Sequence, residues 1–258
     1  DSEFHAGGFS SLYRKKGHEV KMVSATDGSA GHHQIGRKEL AVVRRKEAAA
    51  AAGVIGATGV TWDFPDGELQ ATLELRHRVI AEIRSYRPDL VLTHRTNDYH
   101  PDHRAVGLAV QDASFLVRVP HVVPDVPALE RDPVVAYMAD MFTKPVPMEP
   151  HIVLDIGNRV DTIVQMLAQH ASQVFEWLPH LEGTLAEVPE DEAERLAWLK
   201  EWYTQIIGPR ADRCREALRD IYSIDRTDTV PLVEMFEISE HGGTLTDELK
   251  AKLFFWMP

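Results

Sequence analysis

The chain has one cysteine, Cys214, in 258 residues, so it can form neither an internal disulfide nor a cysteine-based zinc module. That usage fits a reducing compartment such as the cytoplasm. No apolar run approaches the roughly 20 residues that span a bilayer, and no signal-peptide pattern shows. Basic residues are in deficit: 28 Lys and Arg against 40 Asp and Glu leave a formal net charge of -12. A field of that sign repels phosphates, which excludes a protein that coats nucleic acid. Internal repeats are absent, and the one biased tract is the alanine run at 48–52, ordinary for a helix. What remains is 44% hydrophobic and long enough for one sizeable core. The expectation is a single α/β domain over 1–258, with its core over about 1–175 and a helical extension over about 176–258.

Periodicity places the elements. Residues 3–16 read as a helix, with Phe4, Phe9, Leu12 and Tyr13 at helical spacing, and 18–25 as an alternating strand with Val20 and Met22 on one face. A glycine-rich loop, TDGSAGHHQIG, follows that strand. An alanine-rich helix over 37–52 leads to a strand over 60–64, then the turn Pro65-Asp66-Gly67, a helix over 69–86 and a short apolar strand over 90–93. Strands and helices alternate at intervals of about 30 residues, the pattern of βαβ units in a Rossmann-like, mostly parallel sheet flanked by helices. Such sheets bind ligands beyond the carboxyl ends of their strands. Residues 118–150 hold seven prolines and read as a wall of the substrate pocket, with a strand over 134–138. A strand over 151–156, a helix over 160–177, charged helical sequence over 186–221 and a late edge strand over 233–238 complete the reading.

The chemistry concentrates after the strand at 90–93. Within ten positions stand His94, Asp98, His100, Asp102 and His103, on the turn between that strand and a helix expected from about Arg104 to Phe115. Imidazole and carboxylate are the donors a divalent metal takes, and a metal with an open position makes water a nucleophile near neutral pH. Each such histidine also wants a carboxylate to fix its tautomer. The blander alternatives are a polar turn, with Asp102 serving as a helix N-cap and Asp98 satisfying backbone groups of the turn.

The segment THRTNDYHPDHRAVG resembles the second signature of the PIG-L/LmbE-like de-N-acetylases. The opening DSEFHAGG resembles the tail of their first signature, His-Pro-Asp-Asp-x-Glu followed by a Gly-Gly pair, with Asp1 as its second aspartate. TDGSAG, Arg44-Arg45-Lys46-Glu47, Asp66-Gly67-Glu68-Leu69, RPDLVLTH and His170-Ala171-Ser172-Gln173 follow in family order, so the resemblance spans about 1–175. It implies that Asp1 and His103 ligate a metal, usually Zn2+ although other divalent ions serve. It implies that His100 stabilises the tetrahedral intermediate or protonates the leaving amine, and that Asp102 orients and supports His100. Arg44 would face the substrate; without the resemblance, an i,i+3 ion pair with Glu47 on an exposed helix face is the preferred explanation. Asp98 and His170 are further candidates for the substrate side.

The implied reaction is hydrolysis of an N-acyl, chiefly N-acetyl, amino sugar or related small molecule, with no nucleic acid and no membrane span involved, and assembly into homo-oligomers. The family's third metal ligand and its general base would precede Asp1, together with a strand central to the sheet. A trimmed chain is therefore the expectation over a broken, inactive member that only binds carbohydrate or metabolite. His32 and His33 are expected at the pocket rim, His5 in a structural role, and Trp177 and Trp198 in packing. A nucleotide-binding Rossmann protein is disfavoured because GSAG lacks the G-x-G-x-x-G spacing.

Overall fold

The computed structural model describes residues 1–222, 227 and 229–257, so the expected helical extension over 176–258 is described except at 223–226, 228 and 258. The chain divides into two compact units. The first holds Asp1–Glu68, Leu154–Arg215 and the described residues of 225–234; the second holds Leu69–Val153, the described residues of 216–224, and the chain from Met235 onward. No helix among the described residues is long and apolar enough to cross a membrane.

In the first unit, β1 (Lys21–Thr26) and β2 (Thr58–Phe64) pair in parallel, with α2 (Arg37–Val54) connecting them. The alanine-rich helix lies close on β2. A Cβ at Gly59 would stand 2.9 Å from the Ala48 carbonyl and 3.1 Å from the Ala52 methyl, so small residues are required on both sides. Met22 points inward against Ala52 and Met166, with Val20 beside it, as the alternation predicts.

Two loops beyond these strands clasp each other: Asp27 Oδ1 accepts from the Ser29 and Asp66 amides, and Asp66 Oδ2 from the Ala30 amide. Helix α5 (Val160–Ala168) packs against α1 (Ser2–Lys15), α2 and α7 (Glu192–Arg213). Only the first half of the expected 160–177 helix is regular; a π-helical turn, Ser172–Trp177, follows and leads into α6 (Leu178–Glu182). In α7, Leu199, Tyr203, Ile207, Arg210 and Ala211 are buried along one face, while its other faces carry the expected solvated charge.

In the second unit, β3 (Leu90–Thr93) pairs in parallel with β4 (Val134–Met138), with Leu90 opposite Val134. Helix α3 (Leu73–Tyr86) starts at Leu73 rather than at 69, because the Thr72 side chain caps it by accepting from the Leu75 amide. It packs on α4 (Pro101–Leu116). The buried Arg84 of α3 donates to the carbonyls of Leu116, Val117, Val119, Val122, Val123 and Val126, tying the end of α4 to the proline-bearing turn that follows. The second sheet runs in the order β3–β4–β6–β5, with β5 at Ile152–Asp155 and β6 at Val233–Ile238. Strand β6, expected at an edge, lies between β4 and β5 and runs antiparallel to β4, so this sheet is mixed. Short helices α8 (Arg215–Ile221) and α9 (Asp247–Leu253) complete the described chain.

Glu234 explains why β6 looked like an edge. Its charge suggests solvent, yet it is fully buried and accepts from the amides of Gly8 and Phe9 at 2.7 Å each. Burial raises its pKa, against those two donors and the charges of Arg210 and Arg159, from 4.5 to about 7. The folded chain therefore keeps a proton that the unfolded chain has lost between those values, and Glu234 lowers stability as pH rises through that window, by about 3 kcal/mol at most. In urea unfolding at about pH 4.5 and about pH 8, the difference between the wild-type chain and Glu234→Gln should shift in the variant's favour at the higher pH. A pH-independent difference would mean that Glu234 is ionised throughout.

Candidate metal centre

The turn after β3 is organised by one carboxylate. Asp98 Oδ1 accepts from the His100 amide at 2.9 Å and lies 2.9 Å from His103 Nδ1, while Arg104 donates to the carbonyls of Asp98 and Tyr99. The N-cap of α4 is His100, not Asp102: its Nδ1 accepts from the Asp102 amide at 3.2 Å. Pro101 occupies the first helical position, where a missing N–H is no loss. The helix thus begins at Pro101, before the expected 104, and carries His103 in its first turn. The buried Asp102 carboxylate accepts from the Leu69 amide at 3.1 Å.

Gly107, one turn further along α4, brings the helix onto the end of β3. A Cβ there would stand 2.5 Å from the His94 carbonyl oxygen. This close approach stacks the His94 and His103 rings, with centroids 3.9 Å apart and planes inclined by 10°. His100 is the third ring, 4.9 Å from His103. Two stacked imidazoles cannot both hold a proton charge in this setting: burial and the neighbouring His103 push His94 down to about 3, despite Asp98 nearby. Burial would raise Asp98, but the hydrogen bonds from His103 and the His100 amide hold it below the usual carboxylate range. An ionised Asp98 accepts a hydrogen bond from the Nδ1–H of His103, which leaves the ring's lone pair on Nε2. One ring nitrogen of His94 and one of His103 lie within 4.8 Å of each other, and both residues belong to a group able to hold a metal ion. Neutral imidazoles backed by a carboxylate are a donor set that suits zinc or a similar divalent ion.

The proline-rich stretch is fastened to this turn. Buried Arg95 pairs with Asp140 at 3.3 Å and donates to the Val146 carbonyl at 2.8 Å; Asn97 donates to the Lys144 carbonyl at 3.2 Å.

The other expected residues lie in the first unit. Asp1 is exposed at the N-cap position of α1. His170 Nε2 lies 3.4 Å from the carboxylate of Glu3, which is buried and, despite that burial, held below the usual range by His170. Arg44 is not on an exposed face: it donates to the Gly31 carbonyl at 2.8 Å and to the Gln173 side chain, with Glu47 3.8 Å from its Nε. Glu47 in turn accepts from the Ser172 amide and hydroxyl at 2.8 and 2.7 Å. Arg44 and Glu47 thus both engage the HASQ stretch. His32 pairs with Glu176, and His33 stacks on His180. The sequence placed His94 in the donor-rich cluster without making it a ligand, and gave Glu3, Glu47 and Gln173 only as members of motifs. The motif positions of Glu3 and Glu47, and the spacing of His94 from His103, were the available signals.

Residues 1–114 match the family model described as PIG-L, GlcNAc-PI de-N-acetylase. Among curated relatives, diacetylchitobiose deacetylase of Thermococcus kodakarensis is 27% identical over 197 residues, which cover 70% of this chain and 71% of the relative. The 4-oxalmesaconate hydratase of Pseudomonas putida is 27% identical over 174 residues, covering 64% of this chain and 63% of the relative. Among solved structures, N,N'-diacetylchitobiose deacetylase from Pyrococcus horikoshii superposes with a TM-score of 0.70 at 20% identity, over 93% of this chain and 79% of that one. The α/β fold of that structure is thus shared.

If Gly107 sets the helix against β3, Gly107→Ala should cost about 1–3 kcal/mol in thermal unfolding, the usual range for overpacking. Gly53→Ala, in α2 where an added Cβ meets nothing within 4 Å, should be neutral or stabilising. Equal effects at the two positions would contradict the close approach at Gly107.

Proposed function

We propose that this chain is a metal-dependent amide hydrolase that removes an acyl group, acetyl in the first instance, from the nitrogen of an N-acylated amino sugar or a related small molecule. The observation that carries the reading is the Asp98–His103 hydrogen bond beside the buried His94 ring, which stacks on His103 and is kept neutral by its burial and that neighbour. The family match and the deacetylase relative support it. His103 and Asp1 are the proposed metal ligands, Asp1 through its place in the first signature, and His94 is added as a donor.

A divalent ion held there supplies Lewis acidity, lowering the pKa of water and polarising a carbonyl. The protein's own groups do the rest. Asp98 holds the proton on His103 Nδ1 and keeps Nε2 as the donor atom. The Asp102 amide occupies His100 Nδ1, which leaves the ring's N–H at Nε2, where it can donate to the oxyanion that develops as the acyl carbon becomes tetrahedral. Asp102, anchored by the Leu69 amide, fixes the first helical turn beneath His100. Arg44 and His170, each held by protein partners, are the proposed substrate-side residues.

A second reading is a hydratase, favoured by the 4-oxalmesaconate hydratase relative. It uses the same elements to add water across a carbon–carbon double bond. The two are separated on the complete, zinc-loaded protein by measuring acetate released from N-acetylglucosamine and N,N'-diacetylchitobiose against loss of enoate absorbance from an unsaturated dicarboxylate.

His103→Ala should lose both bound zinc and turnover. His100→Ala should keep zinc and lose turnover by about 10²–10⁴-fold, the range for a positioned proton donor. Elemental analysis beside the acetate assay checks both; His103→Ala with full metal and full rate would remove the assignment.

A further inference from the structure

The first turn of α1, which carries Asp1 and Glu3, is not continuous with the rest of its helix. At Ala6 the backbone leaves helical geometry, with φ -144° and ψ 22°. In an unbroken helix the amides of Gly8 and Phe9 would donate to the carbonyls four residues earlier, at Phe4 and His5. Here both amides donate to the two carboxylate oxygens of Glu234 at 2.7 Å. The Phe4 carbonyl accepts instead from the Tyr203 hydroxyl at 3.3 Å, and Arg210 Nη2 lies 3.1 Å from His5 Nδ1, with its guanidinium over the Phe4 ring. Gly8 is what admits Glu234, since a Cβ there would stand 3.2 Å from Oε1 and 2.6 Å from Ile156 Cγ2.

Glu234 and Tyr203 are fully buried and Arg210 nearly so. Buried polar groups destabilise unless satisfied, and an apolar residue against a straight helix would meet no such penalty. This network serves the break. Glu234 lies on β6, and Tyr203 and Arg210 lie on α7, all beyond the residues that match the family model.

We propose that Glu234, Tyr203 and Arg210 are positioning residues for the metal centre: by holding the break at Ala6 they set the direction of the turn that bears Asp1 and Glu3. The proposal rests on the reading above that Asp1 is a metal ligand.

The test is a double-mutant cycle on the zinc affinity of the complete protein, read by competition with a chromophoric chelator. Tyr203→Phe removes only the hydroxyl that the Phe4 carbonyl uses, and Glu234→Gln sets an amide NH2 against a backbone N–H. Each should weaken zinc binding by about tenfold or more, the range for residues that orient a ligand. In an Asp1→Asn background, Tyr203→Phe should cause no further loss, because it acts through Asp1. Should Glu234→Gln not fold, Tyr203→Phe and Arg210→Lys carry the same cycle. Losses that add fully to that of Asp1→Asn, or unchanged affinity in the single variants, overturn the positioning role while zinc binding stays dependent on His103. Zinc binding indifferent to His103→Ala, or none in the wild-type protein, overturns the hydrolase reading and this inference with it.

Discussion

The Asp98 carboxylate is the point on which the site after β3 depends. It accepts from the His100 amide and faces the His103 ring with the same oxygen, so one buried group sets both the backbone of the turn and the tautomer of the histidine in the first turn of the helix. Without that anion the His103 Nδ1–H loses this acceptor, and the ring could present the wrong nitrogen. The stack with His94 adds a second constraint. Two rings 3.9 Å apart resist simultaneous protonation, so His94 stays neutral at working pH and its donor capacity is retained. Close packing underlies both, because Gly107 lets α4 approach the His94 carbonyl and delivers His103 onto the end of β3. Covalent spacing, backbone hydrogen bonding and charge all converge on the same few atoms.

The first unit shows the same economy at a different scale. Arg44 and Glu47 stand three residues apart on α2, yet they are directed inward onto Gln173 and Ser172 rather than paired only with each other in solvent. The bonds fasten α2 to the π-helical turn at Ser172–Trp177, where a regular helix gives way. Glu234 does for α1 what Glu47 does for the π-helical turn, taking over backbone donors where a helix departs from its own ladder.

Local pattern carried much of this into the sequence. The strand over Leu90–Thr93, the helix at Leu73–Tyr86 and the inward face of Met22 follow from periodicity, and the density of His and Asp between His94 and His103 marks a donor-rich turn directly. The less legible parts depend on contacts far apart in the chain. β6 reads as an edge because VEMFEI carries charge at two positions. Those charges are consumed by partners that periodicity cannot reveal: Glu234 by Gly8 and Phe9, Glu237 by the Glu149 amide. The start of α4 was misplaced because a histidine, rather than Asp102, caps it, and imidazole is an uncommon cap. The break at Ala6 has no signal of its own beyond the Gly7-Gly8 pair, whose meaning appears only once Ile156 and Glu234 are seen against it.

The most direct test of the account is the protonation state of one ring. In the complete protein with 15N-labelled histidine, the His103 signals, assigned by loss in His103→Ala, report which nitrogen carries the proton. The account predicts the Nδ1–H tautomer before metal is added, and a large shift of the His103 Nε2 resonance on titration with zinc. A proton on Nε2, or a resonance indifferent to zinc, would contradict the role given to Asp98 and with it the metal centre.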